Sequence, residues 1–554
     1  MRKLLIGLTI LMLLLVAVLL GFRHWAETNF GKVINEDPNR AYDIQYEDFK
    51  LHSFYSGVTL KAVSIVPLKS DSSTVAEGKV SKAELSGLKW SDLLFGRRLH
   101  LESLVFEEPQ FEVNLFGKSS HHEVKVKGQE SGLQSLLADV IARADLEDFI
   151  IKDGTVSIKD GISGKLKGKT KRINVWAEEI QTDSVMFKNI VPFELGNLRV
   201  ELDSVLFNLD EHTQANMAHL SYDLKKGDLT LEGLSLGFDR SWIEISHQRR
   251  IQNDVIDFEL QKLSITEMDF YSSILSDLDI EAGRMSIEGL DLRIQRNKNY
   301  NRPADEVKPM FKGMIDSIPF TLIIDTIDVI NSSVSYSEIS EGKDQPGTIS
   351  ISEINGKIVD LNTSDQEREG IENLKSSFTA SLNRSAPMKL DLAIPYDKEA
   401  FSLNVGLSLP NMKRLNTSLI PLVGVEIQNG HLHDLRFSME ALRSRSWNKL
   451  TMNYDSLNLT VLKEMDGKGL HKNELATGLA NVAVRNKNIP GTKHYREAEY
   501  ISERNVFRAP FQFIVQSMME GIMEIVPTNS AKAILNSQKK RKDKRKNKKR
   551  KKKK

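Results

Sequence analysis

His431 and His433, two residues apart with Asp434 beside them, are side chains that could bind a metal. On a strand the two imidazoles share a face, which suits zinc, but a zinc centre takes at least three protein ligands and the spacing names no third. His121-His122 lies in a polar stretch and offers less. Gly164-Lys165-Leu166-Lys167-Gly168-Lys169-Thr170 approaches a phosphate loop, with three residues between the glycines where the cradle needs four. Its setting is basic and turn-like, not a junction of buried strand and helix. Gly233-Leu234-Ser235-Leu236-Gly237 spells G-x-S-x-G, but inside an alternating, strand-like run and not at a strand-to-helix elbow; H-E-x-x-H does not occur, and no carboxylate pair stands out among many. The chain has no cysteine, which removes thiolate metal sites, Fe–S clusters, disulfides and a cysteine nucleophile. The expectation is a protein that is not an enzyme and needs no metal or cofactor.

At the level of whole elements, 554 residues with 40% hydrophobic and 27% charged content are ordinary for a globular chain. The net charge of +1 hides an asymmetry: residues 539–554 hold fourteen Lys or Arg and one Asp, so the rest is mildly acidic. Such a tail does not fold alone; it extends into solvent or attracts anionic lipid or polymer. At the other end, the nineteen residues from Leu4 to Phe22 carry no charge. As a helix they cover roughly 28 Å, close to the hydrocarbon thickness of a bilayer. Gly21-Phe22-Arg23-His24-Trp25 provides no small-x-small cleavage site, so the segment reads as a retained anchor through Leu4, Leu13 and Leu20, with Trp25 at the interface. The N-terminus is then cytoplasmic and the body lies on the far side, the periplasm in a bacterium. No nucleic-acid partner is expected there.

Between these ends the sequence alternates apolar and polar residues with period two, as in Leu229-Thr230-Leu231-Glu232 and Phe401-Ser402-Leu403-Asn404-Val405. That pattern predicts short antiparallel strands with one apolar face. A local motif recurs: Ile151-Lys152-Asp153-Gly154-Thr155-Val156-Ser157-Ile158 is its clearest copy. Others begin at Phe106, Leu224, Ile280, Val329 and Ile427. The motif reads as a strand end, a turn at the Gly, Ser or Pro, and a new strand. Three amphipathic helices are expected: one at Leu133–Ile141, one through Met310, Phe311, Met314, Ile315 and Ile318, and one from Phe507 to Val526. The last has Gln512, Gln516, Glu520 and Glu524 in line and Pro510 in its first turn. It caps a sheet end or lies on a membrane surface, and its acidic line argues against the membrane.

The run Pro410-x-Met412-x-x-Leu415-Asn416-x-x-Leu419-Ile420-Pro421-Leu422-x-Gly424-x-x-Ile427-x-x-Gly430-x-Leu432-x-x-Leu435-x-Phe437, followed by Met452-Asn453-Tyr454-Asp455-x-Leu457-x-Leu459, resembles the C-terminal region of the AsmA-like family. The anchor, the Pro109 copy of the motif and the helix-then-strand units are also similar to that family. Phe507 to Pro527 with Gly521 resembles the tail end of its Bacteroidota members. The basic tail and residues 160–220 depart from the pattern. The resemblance implies a mainly β protein: a long curved antiparallel sheet, an open β-groove, with a few amphipathic helices and one transmembrane helix. It further implies a role in outer-membrane assembly and phospholipid traffic between membranes. The expected organisation is an anchor (1–25), a first groove module (26–300), a second (301–500), an amphipathic helix (501–530) and a polybasic tail (538–554).

By alternation, the groove lining is expected to include Val156, Ile158, Leu229, Leu231, Met285 and Ile287, and further on Val334, Leu403, Val405 and Leu432. Acyl chains would cover that face in place of a second sheet. A scaffolding β-rod filled by its own side chains is the rival, and an anchored enzyme on envelope polymers a more distant one.

Overall fold

The computed structural model describes residues 2–36, 40, 42–52, 56–68, 74–92, 100–116, 146–180, 196–272, 278–364, 370–465, 469–472 and 483–531. The chain is mainly β, with twenty-one strands among the described residues in an open, mostly antiparallel sheet. It divides into two compact units, Met1–Leu236 with Ser264–Ile280, and Gly237–Leu263 with Glu281–Lys554.

The first unit begins with helix α1 (Arg2–Ile34). Among the described residues no helix is long and apolar enough to cross a membrane. The Leu4 side chain lies outside the described ones. Leu13 and Leu20 are exposed and Trp25 is half-buried, stacked on Phe22. Further on, Ala26 and Phe30 are buried against β1 (Tyr42–Gln45), β2 (Asp48–Leu51) and β3 (Gly57–Pro67), with Phe30 5.3 Å from Phe49. Asn35 imitates a strand partner, its amide donating to the Ile44 carbonyl at 2.7 Å and its oxygen accepting from the Ile44 N–H at 3.0 Å. Then come β4 (Thr74–Ser86), β5 (Leu101–Leu115), β6 (Leu146–Asp160), β7 (Leu166–Glu178), β8 (Asn197–Asn208), β9 (Thr213–Asp223) and β10 (Asp228–Phe238). Neighbours are antiparallel except β5 and β6, which run parallel. The connection between those two includes the helix expected at 133–141, which lies outside the described residues.

Helix α2 (Trp242–Arg249) opens on a capping box, Ser241 bonding the Glu244 N–H and Glu244 bonding back. That S-x-x-E signal stood in the sequence without being read as a helix start. Strands β11 (Asp254–Ser272) and β12 (Leu278–Asn297) contribute residues to both units. The second unit continues through α3 (Phe311–Asp316), β13 (Thr321–Ile339), β14 (Pro346–Asn362), β15 (Asn373–Leu382), β16 (Ala386–Pro395) and β17 (Ala400–Leu409). After a 3-10 turn at Met412–Leu415 come α4 (Asn416–Val423), β18 (Val425–Leu442), β19 (Arg445–Met465), β20 (Gly469–Lys472), β21 (Ala498–Glu503) and α5 (Pro510–Ile525). Helix α3 is shorter than the apolar spacing promised, because Pro319 bars the residue before it from helical backbone. Contacts between β12 and β13 keep a nearly constant offset (Arg284 with Asp328, Asp291 with Ser333, Lys298 with Glu338), as in a parallel pair. Each unit therefore carries one parallel crossover.

The recurring motif is not a turn. Its copies at 106, 151, 280, 329 and 427 each lie inside one continuous strand, and only the copy at 224 spans a turn. In the first, second and fourth of these the third residue, Glu108, Asp153 and Asn331, has φ of +49°, +53° and +44°. The register slips at the same place, between Ile151 and Gly154 and between Val329 and Ser332. At Asp153 and Asn331 these are β-bulges, which add one residue, bend the strand and increase its twist. Positive φ recurs inside β3 at Ala62, β8 at Ser204, β10 at Gly233, β12 at Gly289 and β19 at Ser456; near Ser456 the register also slips, while across Glu108, Ala62 and Ser204 the pairing with the neighbouring strands continues unshifted. The alternation shifts by one at such residues, so Leu60 and Val63, or Leu202 and Val205, keep to one face although three apart. Strands of ten to twenty-one residues in the second unit, where short ones were expected, result from this.

Candidate functional site

Burial separates two kinds of apolar face. In the second unit the face of β17, β18 and β19 is covered. Phe513 and Ile525 of α5 are buried in a cluster with Leu403, Val405, Leu432, Phe437, Leu450 and Tyr454. Phe311 of α3 meets Phe401 at 5.1 Å and Phe511 of α5 at 5.0 Å, both edge-on. Helix α5 is pinned at both ends. Arg504 donates to the carbonyls of Lys308, Pro309 and Arg508, and near the C-terminus Arg485 reaches the Ile525 carbonyl and Arg496 that of Pro527. Gly521 is the seat of this contact, since a Cβ there would fall on Tyr500 and Leu450. Leu403, Val405 and Leu432, expected to line an open groove, are thus packed against protein. The cover is shared: α5 lies on β19 and β21, Phe311 of α3 on Phe401 of β17, and the Met412–Val423 segment on β18, none of which alternation along the strands alone reveals.

In the first unit the cover gives out. Strands β3 to β6 are buried with Phe30 of α1, but from Gly196 to Ile243 no apolar side chain is buried among the described residues. The face nevertheless continues: Val175 pairs with Val200 and Val200 with Tyr222, while Ile173 pairs with Leu202 and Leu202 with Leu220. Where the covered part ends, β5 to β8 enclose a hollow of about 340 Å³, lined by Phe111, Val156, Ile158, Ile173, Val200 and Phe207 among others. That volume lies in the range of roughly 300–1,000 Å³ typical of small-molecule sites. Gly154, the residue after the bulge, forms part of its floor. A Cβ there would stand 2.9 Å from Ile151 Cγ2 and 3.1 Å from Pro109 Cγ, so the missing side chain is what leaves the depth.

Of the expected lining residues, Val156 and Ile158 come together in this hollow. Leu229 and Leu231 are half-buried on β10, and Met285, Ile287 and Val334 are half-buried in the second unit. Sequence reasoning missed Ile173, Val200, Leu202 and Phe207. Their signal is the spacing Leu198-x-Val200-x-Leu202-x-x-Val205-x-Phe207, alternation with one three-residue step.

The outer face is polar and paired. His433 Nε2 and His431 Nδ1 both meet Asp455, at 2.6 and 3.4 Å. Hydrogen bonds from the Ser456 hydroxyl and from His433 hold the Asp455 carboxyl down at about 2. Among the described residues no group of three or more His, Asp or Glu is arranged to hold a metal ion. A similar arrangement on β8 and β9 joins His219 Nδ1 to Asp203 at 2.6 Å, with Arg172 on the same carboxylate. The phosphate-loop-like stretch divides between a turn, where Asp160 accepts from the Ile162 and Ser163 N–H groups, and strand β7. His121-His122 and the basic tail lie outside the described residues. No protein-family model matches the chain, and no curated protein matches it.

Proposed function

We propose that the protein is a non-enzymatic, AsmA-like envelope protein, held in the inner membrane by Leu4 to Phe22, with its body in the periplasm. Its uncovered apolar β-face binds or conducts phospholipid acyl chains in support of outer-membrane assembly. The single observation that carries the reading is the hollow over β5 to β8 and the uncovered apolar face beyond it. Each methylene that leaves water gains about 0.8 kcal/mol, so an acyl chain on this wall is stabilised without any directed polar contact. The backbone stays hydrogen-bonded along the ladder, so such a wall is dry without leaving orphaned amides. No reacting group is required, in keeping with side chains that pair on the outer face.

A rod whose face is filled by its own side chains is the rival, and the covered strands β17 to β19 favour it for that part of the second unit. The test is photocrosslinking in cells with the full chain, using benzoyl-phenylalanine at Val200 and, on the opposite face one residue along, at Glu201. Phospholipid adducts at 200 and none at 201 are expected. No lipid adduct at 200, or equal adducts at both positions, would overturn the proposal.

A further inference from the structure

Helix α5 does more than close the sheet. Its buried edge is Phe513, Ser517, Gly521 and Ile525, spaced by four. On its outward side a second series with the same spacing is bare: Phe511, Val515, Met519 and Met523 are 63, 61, 51 and 44% exposed. Four large apolar side chains in line on a helix pinned at both ends form a fixed ridge, where a soluble face would carry polar residues. The acidic line that argued against a membrane contact points largely elsewhere. Glu520 accepts from the Ser502 hydroxyl at 2.6 Å and from Gln516 Nε2 at 2.9 Å, and Gln516 also donates to the Glu503 carbonyl. Those polar groups are engaged with β21 and with one another.

The sequence just beyond α5 decides the occupant. From Ala531 it is eight residues to Lys539, where the run of fourteen basic residues begins. Eight residues reach at most about 29 Å, so the start of the basic run is tethered within that distance of the end of α5. An apolar helix face alone holds weakly to a bilayer. A polybasic segment adds electrostatic attraction to anionic lipid, and two such signals together give a stable contact.

We infer that the exposed ridge of α5 and the basic tail form one two-part docking surface for an anionic phospholipid bilayer. The ridge sits at the headgroup–acyl boundary and the tail on the phosphates. This surface is separate from the β-face of the first unit and stands whether or not that face carries lipid.

The absence of cysteine makes the test direct, since Met519→Cys gives the full chain a single thiol for a nitrobenzoxadiazole fluorophore. The labelled protein is held in neutral phosphatidylcholine nanodiscs and mixed with vesicles of phosphatidylcholine alone or with phosphatidylglycerol. A blue shift and a severalfold rise in emission are expected with the anionic vesicles only. The signal should be lost at about 1 M salt, where the Debye length is near 3 Å, and in a variant whose Lys and Arg from 539 on are changed to Gln. No change with either vesicle would overturn the inference. So would a shift that survives neutralisation of the tail, vesicle capture through the tail without a shift at 519, or a shift that tracks protein concentration without vesicles.

Discussion

Strands β8 to β10 in the first unit and β17 to β19 in the second are written in the same code, apolar and polar residues alternating. Their fates differ. Val200 and Leu229 stay half-exposed, while Leu403 and Phe437 are buried. The strands themselves do not decide this; the next elements along the chain do. After β19 and β21 the chain supplies α5, with Phe513 and Ile525 to lay on the face and Gly521 to let it approach. After β10 the next helix is α2, whose buried residues are only Ile245 and Ser246. The difference teaches that an apolar strand face is a site only where no amphipathic element is at hand to cover it.

The largest test of that contrast places a charge on each face. Leu403→Asp buries a carboxylate with no partner and is expected to cost more than about 4 kcal/mol, unfolding the second unit. Val156→Asp on the open wall can reach water and is expected to cost about 1 kcal/mol, yet to abolish lipid adducts at Val200. Equilibrium denaturation and the crosslinking assay read the two effects. Equal destabilisation by both variants would mean that the first unit is as sealed as the second.

The glycines sharpen the same comparison at smaller scale. Gly521→Ala drives a methyl into Tyr500 and Leu450 beneath α5, and overpacking of this kind costs about 1–3 kcal/mol. Gly154→Ala brings a methyl to 2.9 Å from Ile151 Cγ2, 3.1 Å from Pro109 Cγ and 3.4 Å from the Ile173 backbone oxygen, beside an open hollow. It is expected to lower the melting temperature less than Gly521→Ala does and to reduce bound lipid. Thermal melts of the two variants, with lipid extraction for the second, separate a seat from a floor.

The alternation made the β class legible, and the stripe and Pro510 of α5 marked that helix almost to its ends. The motif at 106, 151 and 329 was visible too, but its meaning was not. A positive φ inside a strand and a positive φ in a turn draw on the same residues, Asp, Asn and Gly. The three-residue step that keeps Phe106 and Pro109 on one face distinguishes the two, because a turn starting a new strand imposes no such parity. Burial of Leu403, Val405 and Leu432 could not be read locally. It depends on several helices outside these strands, α3 and the Met412–Val423 segment against β17 and β18 and α5 against β19, and such contacts leave no trace in the period or spacing of the strands.

Positive-φ residues inside strands occur in both regions, so relieving one should stabilise each. Glu108 in β5 and Ser456 in β19 hold positive φ, which costs an L-residue roughly 1–2 kcal/mol and glycine almost none. Allowing for the added chain entropy of glycine, Glu108→Gly is expected to stabilise by up to about 1 kcal/mol, and Ser456→Gly by less, because it also removes the hydroxyl that donates to Asp455. Urea midpoints check this. A gain in only one region would mean that the positive-φ residues of the two regions are not one device.

The smallest difference lies on the outer face, where the regions are most alike. Asp455 is held at about 2, chiefly by the Ser456 hydroxyl and then by His433; Asp203 is lowered chiefly by His219 and then by Arg172. Each carboxylate binds its proton less readily folded than unfolded, where Asp titrates near 3.9. The stabilisation is therefore present above about pH 4 and drains away as pH falls toward 2, because the unfolded chain takes up the proton first. Both groups are solvent-facing, so the loss is a modest steepening of the acid limb. Asp455→Asn and Asp203→Asn should each flatten that limb, measured as the urea midpoint from pH 5 down to about 2, and leave the neutral-pH midpoints nearly equal. If only one flattens, the outer faces differ as the inner ones do, and the contrast between the regions extends beyond the presence of a covering helix.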